Sequence, residues 1–369
     1  MLKRIGPPIV AFALARWLLW WAAKRTKTDA FTAEAWSRWD SAHYLSIAEK
    51  GYEFFSCAKL PGYDPKLWCG NAAWMPGYPW LIKLVSMFGV QLVTAGAVLS
   101  AIWALLTLIL LWNGFLEAEL KLINLLTLAL AAFFPGHVYD HAVFPVSQFA
   151  FFELLALWFY VQRHYAWAGL AGAAAAFTYS SGLFLAGAIG VHILISERRK
   201  PYLEVLRQLV LVSGGVALGF LAVLTVQRIQ TGAWNAYFMV QGKYAYAFRT
   251  PFTAWYEHLY HVTQSFPSIG GQSDQTLFVA GLCTLSIAFL PWRKGLERVD
   301  GVLVCVMLVY WLIPLMLGGQ LSIYRAEATL LPTVPLVRRM PWPVASVMVG
   351  IAYVLARVMA KLFFRSVLV

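Results

Sequence analysis

The chain has 369 residues, of which 60% are hydrophobic and 12% charged, and its mean hydropathy is +0.65. Soluble domains carry about a quarter of their residues as charges, so the composition excludes a soluble globular protein and reads as a polytopic membrane protein. The formal net charge of +12 does not indicate nucleic-acid binding, because the basic residues are dispersed; in a membrane protein they mark cytoplasmic flanks and anionic headgroups, or a phosphate-bearing lipid substrate.

Long continuous apolar runs specify helices rather than barrel strands, which would appear as short alternating segments. The opening run, "MLKRIGPPIVAFALARWLLWWAAKR", predicts a first helix over about 5–23. Its Trp pair stands where a cleavage site needs small residues. The run is therefore read as an uncleaved membrane helix, with Lys3 and Arg4 keeping the N-terminus in the cytoplasm. A long loop follows over about 24–79, then helices near 90–112, 121–135, 143–162, 166–180, 183–196 and 205–227. A second long loop fills about 228–274, and the last helices lie near 276–291, 301–317, 328–337 and 343–364. The expected fold is an all-α polytopic bundle of roughly 10–11 transmembrane helices, one domain spanning 1–369, with interfacial helices in the long outer loops.

The compact basic loops "SERRKPYLEVLR", "PWRKGLERVD" and "VRRMPW" belong in the cytoplasm, and alternation then puts both long loops on the opposite face. The 17 Trp and 17 Tyr suit the headgroup level at helix ends. Cys57 and Cys69 flank a turn-rich stretch of the first loop; if that loop is exocytoplasmic, a disulfide staples it. Cys283 and Cys305 sit in apolar helices and read as packing residues.

The segment "SRWDSAHYLSIAEKGY" (37–52) is unusually polar for this chain. On a helix, Trp36, Asp40, His43, Tyr44 and Ile47 share one face, as an interfacial helix would present them. "HVYDH" places His137, Asp140 and His141 at metal-ligand spacing, although such clusters are more often hydrogen-bonded polar patches. "YSSGLF" (179–184) is similar to the Ser-Gly of rhomboid intramembrane proteases, but the preceding Gly and a paired His are missing; small residues at helix contacts explain it better.

The stretch "RWDSAHYLSIAEKGY" followed by "AAWMPGYPWLIKL" (72–84) resembles the first-loop signature of the PIG-V family, in glycosyltransferase superfamily C. That family comprises the second mannosyltransferases of GPI-anchor assembly and their prokaryotic relatives. The matching positions are Trp39-Asp40, Tyr44, Ala48, Gly51-Tyr52 and Met75-Pro76-Gly77-Tyr78-Pro79, with the Cys57–Cys69 insertion between the blocks. Looser similarity covers 133–157, 167–185, 232–252 and 322–336. Two departures from the family pattern stand out: Pro145-Val146 replace a Thr/Ser-Glu pair, and Tyr179 replaces an Arg.

The resemblance implies a superfamily-C bundle that transfers a hexose, with mannose expected, from a polyprenyl-phosphate sugar to a hydroxyl of a lipid-linked or cell-envelope glycan. The implied transfer is inverting and takes place on the exocytoplasmic face. The phosphate leaves without a strong proton donor, and one carboxylate base activates the acceptor. Asp40 is the expected base, with Glu49 as the alternative carboxylate. Arg325 is expected on the donor phosphate, where a guanidinium binds in a fork, with Lys243 and Arg249 as further cations. Arg38 is expected to orient Asp40, and Trp39, His43, Tyr44, His141, Gln241 and Tyr324 are the remaining candidate substrate contacts. No cofactor is required by this scheme, a divalent cation being the one alternative. The expected partners are the donor lipid, a glycan or glycolipid acceptor and membrane lipid, with no nucleic acid. The competing readings are a lipid or solute transporter and a non-catalytic scaffold; paired inverted repeats, the usual mark of a transporter, are not visible.

Overall fold

Helix follows helix along almost the whole chain in the computed structural model, which describes residues 2–244, 247–266, 268, 271–292, 295–317 and 322–368. Arg293 and Lys294, part of one expected cytoplasmic loop, lie outside the described residues.

The first helix, α1 (Leu2–Arg25), is followed by α2 (Ser41–Lys50), α3 (Gly77–Ser86), α4 (Leu92–Gly114), α5 (Leu122–Ala132) and α6 (Val138–His141). The middle of the chain forms α7 (Val146–Val161), α8 (Tyr165–Thr178), α9 (Phe184–Ser196), α10 (Tyr202–Leu209) and α11 (Gly215–Thr231). Then come α12 (Ala236–Gln241), α13 (Pro251–Ser265), α14 (Gln272–Ala288), α15 (Arg298–Met316), α16 (Ile323–Ala328) and α17 (Trp342–Phe364). A π-type turn over Val210–Gly214 joins α10 and α11 into one rod, Tyr202–Thr231. Among the described residues, five helices are long and apolar enough to cross a membrane: α1, α4, the α10–α11 rod, α15 and α17. Shorter apolar helices pack among them, as expected where protein rather than lipid surrounds the backbone. The chain is an all-α polytopic membrane protein.

Three expectations change. The region 24–79 holds α2, a helix of the kind expected in an outer loop, but also a two-stranded hairpin (β1, Phe54–Ser56; β2, Trp68–Gly70) and the start of α3, which were not expected there. The helix expected near 328–337 is a 3₁₀ stretch, Leu331–Arg339. Pro332 and Pro335 supply no backbone N–H, which disfavours a regular α-helical ladder there. The face drawn from Trp36 to Ile47 is also broken. Trp36 ends a separate 3₁₀ turn, and Trp39 has φ +48, so α2 begins only at Ser41.

Small residues draw α8 and α11 together. A Cβ on Gly169 would meet Leu211 O at 1.9 Å, and one on Gly219 would meet Ala173 O at 2.3 Å. Only glycine lets these backbones approach so closely, the usual device of helix pairs in lipid.

The two ends of the bundle differ in chemistry. At one end Trp112 Nε1 donates to Lys3 O at 2.9 Å, and Arg338 donates to Phe115 O at 3.2 Å. Arg338 also pairs with Glu297 at 3.0 Å and with the buried Asp300 at 3.3 Å, Arg339 pairs with Asp300, and Arg298 pairs with Glu197 at 2.8 Å. This end gathers the starts of α1 and α15 and the ends of α4 and α9. The opposite end carries α2, the hairpin, the C-termini of α11 and α17, and α16. There Gln227 Nε2 donates to Ala72 O at 2.7 Å, and Tyr52 N donates to Gln230 Oε1 at 2.8 Å.

Candidate active site at one end of the bundle

Asp40 occupies the N-cap position of α2, where a carboxylate would ordinarily accept from the first-turn amides. It makes no such bond. Its Oδ2 instead accepts from Arg325 Nη1 at 2.6 Å, a contact between residues 285 apart in sequence. The side chains are 22% and 18% exposed, so the pair is largely enclosed yet reachable from outside. Burial disfavours the Arg325 cation, but the adjacent Asp40 carboxylate outweighs it and the guanidinium is held charged. Arg325 also lies over the Phe144 ring at 5.7 Å.

The pair forms part of the wall of a cavity of about 270 Å³. Tyr44, Trp74, Tyr179, Ser181, Gln241 and Tyr244 supply much of the rest. Tyr44 is buried on α2 and meets Tyr78 and Phe144 edge-on, each at 5.9 Å; burial raises its hydroxyl well above the ordinary phenol range.

The Trp74 wall is fixed through its neighbours. His43 stacks on Trp74 with centroids 3.6 Å apart, and Tyr52 OH donates to Trp74 O at 2.8 Å. Lys243 Nζ lies 5.7 Å from the Trp74 centroid and 5.0 Å from that of Tyr244. Burial lowers the pKa of Lys243 while Asp40 pulls it upward. Burial also lowers that of His43, with Asp40 opposing and Lys243 reinforcing the shift. Upstream of Trp74, Asn71 accepts from Glu53 N at 2.8 Å and donates to Gly51 O at 3.1 Å, and Cys57 and Cys69 form a disulfide across the hairpin. The turn into this wall needs glycine: Gly70 has φ +116, and a Cβ there would lie 2.0 Å from Glu53 O.

Asp40, His43, Tyr44, Gln241, Lys243 and Arg325 therefore converge from three separate parts of the chain. Tyr324 lies just behind, its ring stacked on Tyr139 at 6.2 Å and its carbonyl accepting from Gln275 at 2.8 Å. Five other candidates are placed elsewhere. Arg38 turns away from Asp40 and donates to Glu34 O at 2.8 Å and Ser37 O at 2.9 Å, so the expected local salt bridge is replaced by the long-range one to Arg325. Trp39 points outward, 46% exposed. Arg249 pairs with Glu257 at 2.8 Å and does not line the cavity. His141 lines a different, smaller cavity. Glu49 is an exposed neighbour of Lys50.

Among the described residues no three His, Cys, Asp or Glu side chains are grouped to hold a metal ion, so the spacing of His137, Asp140 and His141 does not become a ligand set. Trp74, Tyr179, Ser181 and Tyr244 were not picked out from the sequence as cavity residues. Their signal was present but bland: Trp74 lies in the second half of the first-loop signature, and Tyr179 and Ser181 flank a tight turn. That turn reflects close packing, because a Cβ on Gly182 would meet Ala176 Cα at 2.5 Å. No protein-family model and no curated protein matches the chain.

Proposed function

We propose that this protein is a membrane glycosyltransferase of the PIG-V type, within glycosyltransferase superfamily C. It transfers a hexose, with mannose expected, from a polyprenyl-phosphate sugar to a hydroxyl of a lipid-linked or cell-envelope glycan. The observation that carries the reading is the Asp40–Arg325 pair at 2.6 Å in the wall of a 270 Å³ polar and aromatic cavity. A carboxylate and a guanidinium are what displacement at a sugar phosphate needs, and the cavity suits a monosaccharide bordered by aromatic faces. In this reading the ion-paired end of the bundle, which holds the compact basic loops, faces the cytoplasm, and the cavity opens on the exocytoplasmic side.

In this reading the donor phosphate takes over the Arg325 guanidinium, with Lys243 adding charge, and releases Asp40 from its partner. The acceptor hydroxyl attacks the anomeric carbon and inverts it as its proton passes to Asp40. The bond between that carbon and the phosphate oxygen breaks, and polyprenyl phosphate leaves with the electron pair, stabilised by Arg325. Tyr179, an Arg in the family pattern, alters the wall beside this pair, so the acceptor differs from that of the eukaryotic family members.

A second reading is a non-catalytic scaffold. It is favoured by the same contact, because a mutually satisfied ion pair can serve only to join the first loop to α16. Turnover of polyprenyl-phosphate mannose by the purified protein, wild type beside Asp40→Asn, separates the two. Transfer by wild type that disappears in the variant supports the enzyme; equal transfer by both removes Asp40 from the mechanism. No transfer by either, with donors carrying other sugars also inert, leaves the scaffold.

A further inference from the structure

Behind the candidate site, the segment 136–143 is wedged between the two strands of chain that carry the ion pair. On one side Val143 N donates to Trp36 O at 2.9 Å, just upstream of Asp40. On the other, Gly136 sits so close to α16 that a Cβ would meet Ala328 Cβ at 2.8 Å and Tyr324 O at 3.1 Å. Tyr139, in the middle of the segment, packs against Tyr324 and Phe363. The opposite side of the same short helix carries Asp140 and His141, which are 5% and 4% exposed. Asp140 Oδ1 and His141 Nδ1 have no hydrogen-bond partner within the protein. Both residues line a small cavity of about 20 Å³, together with Thr107, Ser147 and apolar groups of α1, α4 and α5.

We infer that this cavity is a hydration site holding one buried water bonded to Asp140 and His141. Its volume of 20 Å³ exceeds the roughly 10–15 Å³ that a single water requires, and a buried water needs two to four polar partners. The partners are there. The Asp140 carboxyl and His141 Nδ1 supply two. The hydroxyls of Ser147 and Thr107 already donate, to Ser100 O at 3.0 Å and Trp103 O at 2.8 Å, and keep lone pairs that accept from a water. A purely apolar void of this size stays dry, but leaving an acidic and an imidazole group unbonded in a bundle interior is costly. The water completes the polar side of a segment whose other side supports Tyr324 and Arg325.

The inference is independent of any enzymatic activity, and its test is structural. A structure of the full chain at a resolution that shows ordered solvent is expected to reveal one density peak within hydrogen-bond distance of Asp140 and His141. An empty cavity, a direct Asp140–His141 bond that closes it, or a peak with the short contacts of a bound cation would each overturn the inference. Asp140→Leu, close in size, adds a thermal readout. Loss of a carboxyl bonded to water lowers the melting temperature by about 1–2 °C on the average unfolding entropy per residue. Removal of an unbonded buried carboxyl from a dry cavity raises it, and a rise rejects the hydration site.

Discussion

The contact between Asp40 and Arg325 makes a prediction that does not depend on knowing the substrate. An exposed ion pair contributes about 0–1 kcal/mol, whereas breaking a fully buried one costs about 3–5 kcal/mol because a charge is left uncompensated. With side chains 22% and 18% exposed, this pair lies between those limits. Asp40→Asn or Arg325→Gln alone is expected to cost about 2 kcal/mol. For a chain of 369 residues that corresponds to a fall of about 3 °C in melting temperature, using the average unfolding entropy per residue. The double variant leaves no orphaned charge, so its loss should be smaller than the sum of the singles by at least about 1 kcal/mol. Thermal unfolding of the four proteins in one detergent measures this coupling, and transfer assays on the same samples measure function. Removing a general base costs about 10²–10⁴ in rate, far beyond what a 3 °C shift explains. Additivity within about 0.5 kcal/mol would refute the pairing, and near-wild-type turnover in Asp40→Asn would refute its catalytic use.

Other perturbations test the framework. Gly219→Val on α11 drives a side chain into the Ala173 backbone and should cost about 1–3 kcal/mol or more, whereas Gly281→Ala, which meets open space, should be neutral or stabilising by up to about 1 kcal/mol; melting curves compare the two. Cys57→Ser should leave β1 and β2 paired but loosen the intervening tip. Proteolysis between residues 58 and 68 should then be faster, and a disulfide closing so short a loop contributes about 3 kcal/mol by the chain-entropy account. His43 gives a pH signature. Burial lowers its folded pKa, so the unfolded chain binds the proton more readily. Stability is full above about pH 6.5 and is lost as pH falls through the depressed folded value. His43→Gln should flatten this acid limb of the melting temperature against pH, and an unchanged limb would assign it to another group.

Hydropathy by itself determined the class of this protein. Runs such as Leu92–Gly114 and Trp342–Phe364 are apolar over a bilayer's thickness, and no water-exposed fold accommodates them. The sequence also showed where to look, because a polar segment around Asp40 is expensive in such a chain unless it has a use or a partner. What the sequence did not show was the partner. Local spacing offered Arg38, two residues away, but the backbone turns at Trp39, and Arg38 is taken up by carbonyls of its own turn. The cation that neutralises Asp40 comes from residue 325, a pairing that no periodicity encodes. Likewise HVYDH reads as one polar patch, yet the four-residue helix splits it. Tyr139 faces the candidate site and His141 faces a separate cavity. Local sequence fixes which residues alternate around a helix, but only the packing of distant helices decides which side meets a charge, a cavity or lipid.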